Sequence, residues 1–295
     1  MTVTQEELLS MFSKHRGRIP YVFSFGRGNG PHSIIVGALH GNEDAGLQAI
    51  HALHKERDSI IGTVTAVLGN PEAYKKDVRY SDENLNRIFR NPIQGSTYES
   101  KRARELSALF THIAKQNNRI TVIDIHTTSQ GEEPLFMCHR DDRQTLQFLK
   151  KTPLFESIVL ITEALPYSLC ALTRKCNFSY IGAECGKHKT EQANNNARML
   201  LEEVLVRLKI KAGRSMHSRA TEKKVVKIEQ MIVPTPGLQF VVQEVKTVTS
   251  VKKGEVWAVD DAGKRIAEKD MALFCVPKKV RHTDTNAGFI CAYGT

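Results

Sequence analysis

The strongest constraint on this chain is an alternation of β-rich apolar runs with amphipathic helical segments through its first two-thirds. "HSIIVGAL", "GTVTAVLGN", "RITVIDIH", "SIVLIT" and "FSYIGAE" are rich in the β-branched residues that suit buried strands. "EDAGLQAIHALHKE" and "YESKRARELSALFTHIAKQ" repeat their apolar residues at helical spacing. Strands joined through helices pair in parallel, so the pattern predicts an α/β fold, a mixed, largely parallel sheet flanked by helices. A first helix is expected in "MTVTQEELLSMFSKH", where Thr4 and Glu7 have capping-box spacing. The glycine cluster "FGRGNGP" at residues 25–31 is read as a hairpin-type turn, because a strand follows it where a dinucleotide site needs a helix N-terminus.

A last helix is predicted from "TEQANNNARMLLEEVLVRLKI" to a stop at Gly213. Beyond it, "VVKIEQMIV", "LQFVVQEVKTVTSV", "EVWAVD" and "ALFCVPKKV" alternate apolar and polar residues between Pro- and Gly-containing turns. The chain therefore divides, on sequence, into a large α/β domain over residues 1–212 and a small all-β C-terminal domain over residues 213–295.

Composition narrows the function classes. Apolar residues make up 41% and charged residues 25%, ordinary for a globular protein, and the apolar runs are too short and interrupted for a membrane span. The acidic, discontinuous N-terminus does not read as a secretory signal. Six cysteines stand scattered at 138, 170, 176, 185, 275 and 291 with no CxxC pair, which predicts reduced thiols and a cytoplasmic protein. The 42 Lys and Arg against 32 Asp and Glu leave a net charge of +10, which suits nucleic acid, an anionic surface or acidic small molecules drawn in by a positive field, and charge alone does not choose among them. The basic stretch "RLKIKAGRSMHSRATEKKVVK" reads as a solvated helix end and linker, and its lack of interleaved aromatics speaks against nucleic acid as a partner.

Chemistry collects at strand ends. "VGALHGNEDAGLQAI" places His40 and Glu43 straight after an apolar run, on a glycine-loosened turn before a helix, and "VIDIHTT" places His126 at the end of another strand. Two histidines and a glutamate are the ligand set of a catalytic zinc that keeps a position for water. Asp124 shares a strand face with His126 and is placed to orient a ligand imidazole. In "GNPEAYKKDVRYSDENLNRIF", Arg79, Asn86 and Arg87 supply the planar guanidinium and amide donors that match a carboxylate.

Taken in order, "HGNE", "NP.A" followed by "RY.D.NLNR.F", "D.HTT" and "G.E.G" resemble the succinylglutamate desuccinylase and aspartoacylase family, a branch of the zinc carboxypeptidase-like hydrolases. The resemblance spans residues 30–190, and the trailing β unit also matches it. It implies one Zn2+ per chain held by His40, Glu43 and His126, with Glu184 as general base and Arg79 as oxyanion electrophile. Asn86 and Arg87 would hold a substrate carboxylate. Arg174, ten residues before Glu184, matches an arginine that grips the side-chain carboxylate in aspartoacylases. Two positions depart from the pattern: Cys170 stands where aspartoacylases carry a tyrosine, and Phe289 stands at the register of a C-terminal tyrosine, with Tyr293 nearby. Cys185, beside Glu184, is not taken as a nucleophile. The implied activity is zinc-dependent hydrolysis of the amide bond of a small acidic N-acyl amino acid, with the C-terminal domain capping the cleft. A homo-oligomer is compatible with this expectation. The rivals are a carboxypeptidase-like zinc peptidase, with an open cleft, and a regulatory or nucleic-acid-binding protein on a degenerate hydrolase fold.

Overall fold

The structure is a computed structural model that describes residues 2–15, 19–28, 30–90, 92–116, 119–216, 222–242, 246–277, 280 and 287–293. The α/β portion runs α1 (Gln5–Lys14), β1 (Val22–Gly26), β2 (His32–Gly37), α2 (Ala45–Lys55), β3 (Thr63–Leu68), α3 (Pro71–Lys75), α4 (Tyr98–Ala114), β4 (Ile120–Thr128), β5 (Leu135–His139), α5 (Arg143–Lys150), β6 (Ser157–Ile161), α6 (Leu169–Lys175), β7 (Ser179–Lys187) and α7 (Glu191–Arg207). The C-terminal strands are β8 (Lys224–Met231), β9 (Gln239–Phe240), β10 (Val248–Val251), β11 (Val256–Asp260), β12 (Gly263–Ile266), β13 (Met271–Phe274) and β14 (Phe289–Tyr293).

An 11-stranded sheet in the order β1-β3-β2-β4-β7-β5-β6-β8-β14-β13-β10 carries the molecule. Its centre, β3-β2-β4-β7, is parallel, as the helical crossovers require. β1 runs against β3 and β5 against β7, which makes the sheet mixed. Strand alternation sorts the core onto two faces. Ile35, Ile123 and Ile125 pack with residues of α1, α2 and α7, whereas Ile34, Val36 and Val122 pack with residues of α4 and α6. Every residue of β2 is buried, which explains its unbroken apolar run.

Local differences from the sequence reading have physical causes. β3 lies between β1 and β2, so the glycine-rich stretch connects two non-adjacent strands and is not a hairpin turn. The capping box at Thr4 and Glu7 is formed as expected. The final helix stops at Arg207, short of Gly213: Lys209 adopts the left-handed conformation (φ 58°), and buried Ile210 turns back so that its carbonyl accepts from the Ile61 amide. The basic stretch that follows lies partly outside the described residues, at 217–221.

The C-terminal strands are built onto the α/β sheet. β8 pairs in parallel with β6, and β14, β13 and β10 continue the same sheet by antiparallel pairing. β12, β11 and β9 form a separate three-stranded sheet, with a third core around Trp257, Leu238 and Leu273. This arrangement carries Cys275 and Phe289 toward the carboxyl ends of the central strands.

Candidate active site

The carboxyl ends of β2, β4 and β7 lie side by side, and His40, Glu43, His126 and Glu184 meet there. At the end of β2, Ala38 takes a left-handed φ of 50°, which breaks the strand and starts the turn bearing His40. The next residue must be glycine, since a Cβ on Gly41 would stand 2.2 Å from the Ala73 carbonyl carbon of α3. The Glu43 amide then donates to the His40 carbonyl at 3.1 Å, folding the H-x-x-E segment back on itself. Gly46, in the first turn of α2, lets that helix approach Gly37 closely. The "HGNEDAG" spacing is thus a packing solution as well as a set of ligands.

The three side chains form a buried donor cluster. His40 Nδ1 lies 2.8 Å from Glu43 Oε1, and His126 Nδ1 lies 2.8 Å from Glu43 Oε2. The outer nitrogens have acceptors: His40 Nε2 is 3.2 Å from Asn84 Oδ1, and His126 Nε2 is 3.0 Å from Asp124 Oδ2. Asn84 Oδ1 also accepts from the Asn86 amide at 3.0 Å, which fixes it as the oxygen and His40 Nε2 as the donor. Both neutral imidazoles would then aim an Nδ1 lone pair at the Glu43 carboxylate. Acceptors facing acceptors at that distance require a cation between them, either a proton or a metal ion. The ligand atoms of His40, Glu43 and His126 lie within 4.8 Å of one another and can hold such an ion.

The electrostatics agree. Burial, with Arg79 nearby, pushes the His40 imidazole down to about 4 and keeps it neutral. Burial also opposes a charge on His126, but Asp124 and Glu43 outweigh it and raise this imidazole well above its ordinary range. Burial alone would raise Glu43, yet His40 and His126 hold it well below the usual carboxylate range. The pocket is built to keep positive charge beside Glu43. Tyr180 donates to Asp124 Oδ2 at 2.8 Å and steadies the carboxylate behind His126.

The loop after α3 supplies the cations and amides. Arg79 Nη1 donates to Glu43 Oε1 at 3.1 Å. Asn86 Oδ1 accepts from the Leu169 amide at the start of α6 at 2.8 Å, tying the loop to the opposite wall. Arg87 is half-buried, donates to the Asn86 carbonyl at 2.7 Å and lies over the Phe289 ring at 6.0 Å. Burial, then Arg79, lowers its pKa to about 10, so it stays protonated at neutral pH in an environment that favours an anionic partner.

Glu184 sits directly opposite His126 in the β4–β7 register. Its buried Oε2 has no hydrogen-bond partner among the described residues, and Cys275 Sγ lies 3.9 Å from Oε1. Burial raises its pKa to about 8; Glu43 and Asp124 add to this, while His126 and Arg79 oppose it. Cys185 points to the other face of β7, into the core, where burial pushes its thiol up. Phe289 is buried beneath Arg87, whereas Tyr293 is exposed beneath Lys224.

Arg174 is the one site residue expected from the sequence that the structure places apart. At the end of α6 it bridges Asp141 at 2.9 Å and Glu163 at 3.4 Å, and none of its described contacts joins the cluster. The same carboxylates pair with Arg140, so the group His139, Asp141 and Glu163 is already neutralised by guanidinium. Conversely, Asn84, Tyr180 and Cys275 belong to the site without having been singled out by sequence. Asn84 lies inside the "NLNR" motif, but nothing in its spacing shows that it would reach His40.

The mixed α/β sheet thus gathers two histidines and a glutamate at its central strand ends as a candidate metal centre. Residues 29–206 match the model of the succinylglutamate desuccinylase/aspartoacylase catalytic domain, and the chain belongs to that family. It is 32% identical over 126 residues to an N-acyl-aromatic-L-amino acid amidohydrolase of Xenopus tropicalis, covering 38% of this chain and 39% of the relative. It is 31% identical over 115 residues to the succinylglutamate desuccinylase of Pseudomonas aeruginosa (strain LESB58), covering 36% and 34%. The chain thus spans less than half the length of these two relatives. The crystal structure of succinylglutamate desuccinylase from Vibrio cholerae shares the fold, with a TM-score of 0.76 at 17% identity over 92% of this chain and 85% of that one.

Proposed function

We propose that the protein is a zinc-dependent amidohydrolase that removes the acyl group from a small N-acyl amino acid bearing a free carboxylate. The observation that carries this reading is the facing of two imidazole lone pairs and one carboxylate, with Glu184 alongside. Two histidines, one carboxylate and an open position suit Zn2+, with His40, Glu43 and His126 as its ligands. A zinc ion bound there would supply Lewis-acid polarisation and a more acidic water.

The chain's own residues do the rest. Asn86 and Arg87 hold the substrate carboxylate and set its orientation. Glu184 takes a proton from the attacking water and returns it to the leaving amine, and its burial raises its affinity for that proton. Arg79 donates to the carbonyl oxygen as charge builds there. Asp124 and Asn84 hold the two imidazoles in the tautomer that leaves Nδ1 free. Cys275 beside Glu184 and Phe289 beneath Arg87 bring the C-terminal part of the chain up to the cluster, which supports a small substrate over a peptide chain. The six unpaired cysteines fit a cytoplasmic setting.

The test is a screen of zinc-loaded protein against N-acetyl, N-succinyl and N-formyl amino acids, scoring released amine. Turnover of at least one such series, and none of peptides blocked at the C-terminus, is expected. Faster cleavage of longer peptides would favour the carboxypeptidase-like alternative.

A further inference from the structure

We propose that Glu99 is a positioning residue whose buried carboxylate sets the conformation of the loop that brings Arg79, Asn84, Asn86 and Arg87 to the active site. Between α3 and the short turn at Leu85–Arg87, that loop has no regular secondary structure to hold it. Its backbone amides therefore need partners from elsewhere. Glu99, in the first turn of α4, is fully buried and provides them. Its Oε1 accepts from the Ser81 amide at 2.7 Å and from Asn70 Nδ2 at 3.0 Å, and its Oε2 accepts from the Asp82 amide at 3.2 Å.

The contacts around it are reciprocal. Asp82 Oδ2 accepts from the Tyr98 amide at 3.1 Å, and Glu83 Oε1 accepts from Ser100 Oγ at 2.6 Å and from Thr97 Oγ1. Asn70, also fully buried, caps α3 by accepting from the Ala73 amide at 3.1 Å. One turn further along α4, buried Arg102 donates to the carbonyls of Leu68 at 2.8 Å and Gly69 at 3.0 Å, fixing the end of β3 that leads into α3. The loop's middle and the segment that leads into α3 are therefore clamped to the first two turns of α4. Arg79 lies two residues before the amides held by Glu99, and Asn84, the acceptor for His40, lies two after them.

A carboxylate is the right group because it only accepts, and three N–H donors converge on it. A glutamine is nearly isosteric but would turn an NH2 toward one of those donors, leaving a buried donor facing a donor. A buried acidic residue that touches neither metal ligands nor substrate is explained by the donors it gathers.

Only the kinetic arm of the test rests on the hydrolytic reading. Glu99→Gln is made in the whole zinc-loaded chain, and also in a background carrying both Arg79→Ala and Arg87→Ala. Faster amide hydrogen exchange is expected across residues 79–87, with exchange in β2, β4 and β7 unchanged. kcat/KM for an N-acyl amino acid should fall about tenfold or more in the otherwise native protein and by a clearly smaller factor in the double-arginine background, because two of the four residues it positions are already gone. Both kcat and KM should move, since the loop serves the carbonyl oxygen and the carboxylate alike. Glu99→Asp, which keeps the charge but withdraws it by one methylene, is read in the same assays and carries the test if Glu99→Gln does not fold. Unchanged loop exchange, or an equal fold-loss in both backgrounds, would overturn the proposal. If the native protein hydrolyses no N-acyl amino acid, the hydrolytic reading falls while the exchange result still decides the role of Glu99.

Discussion

Replacing Arg87 by alanine separates a carboxylate-gripping deacylase from a generic amidase. The guanidinium is half-buried over Phe289, and its pKa is lowered to about 10 by burial, so much of its hydration is already lost before substrate arrives. An incoming carboxylate then gains a charge-assisted pair without most of the desolvation cost on the protein side. Such a hydrogen bond contributes about 1.5–3 kcal/mol. Its loss corresponds to a fall in kcat/KM of about 10- to 150-fold. An analogue whose carboxylate is amidated should be a poor substrate of the native protein and lose little more in Arg87→Ala. The four kcat/KM values close a double-mutant cycle whose coupling energy should match the single-mutant loss. A coupling indistinguishable from zero, with both substrates slowed alike, would show Arg87 to be a structural residue and remove the basis for its role.

Three further outcomes follow from the geometry. Glu184→Gln should keep the fold and the metal, because the amide is nearly isosteric, but lose about 100-fold or more in kcat since it cannot accept the water's proton; near-native kcat, with metal content checked in parallel, would place the base elsewhere. His126 is held protonated by Asp124 and Glu43 to well above its ordinary pKa, so zinc binding near neutral pH must displace that proton, and affinity should rise with pH until His126 has titrated; calorimetry in two buffers of different ionisation enthalpy should show about one proton released per zinc, and zero release would contradict the assignment. Gly41→Ala should destabilise by about 1–3 kcal/mol or more, because the added Cβ meets the rigid backbone of Ala73 and Tyr74; thermal unfolding checks this, and an unchanged Tm would show that the turn relaxes freely.

Much of the fold was legible because periodicity reports burial directly. β2, β3, β4 and β7 lie in the sheet interior and read as apolar runs, and the helices between them imposed parallel pairing. β5, only Leu135–His139, has no such signature, because a short strand that pairs antiparallel with β7 and parallel with β6 has no flanking helix on one side to announce it. His40, Glu43 and His126 could be nominated from sequence because their chemistry sits at strand ends, where a strand's register already fixes direction, whereas Glu184 came only through the resemblance to the family's "G.E.G" motif. Asn84 and Glu99 could not, since their roles depend on the path of an irregular loop. Cys275 reaches Glu184 across 91 residues through the edge of the sheet, a proximity with no local trace. Arg174 shows the converse: its spacing from Glu184 fits the family, but Asp141 and Glu163, distant in sequence, claim its guanidinium.

The central claim, a zinc centre at His40, Glu43 and His126 that hydrolyses N-acyl amino acids, is tested most directly by titrating metal back into stripped protein. The native chain is treated with a chelator, dialysed and given zinc in steps while amine release from its best N-acyl amino acid is followed, with His126→Ala run beside it. Activity should be absent after stripping, rise linearly to a plateau at one zinc per chain, and stay absent in His126→Ala at the same zinc. Full activity in the stripped protein, or equal restoration in the variant, would contradict the account.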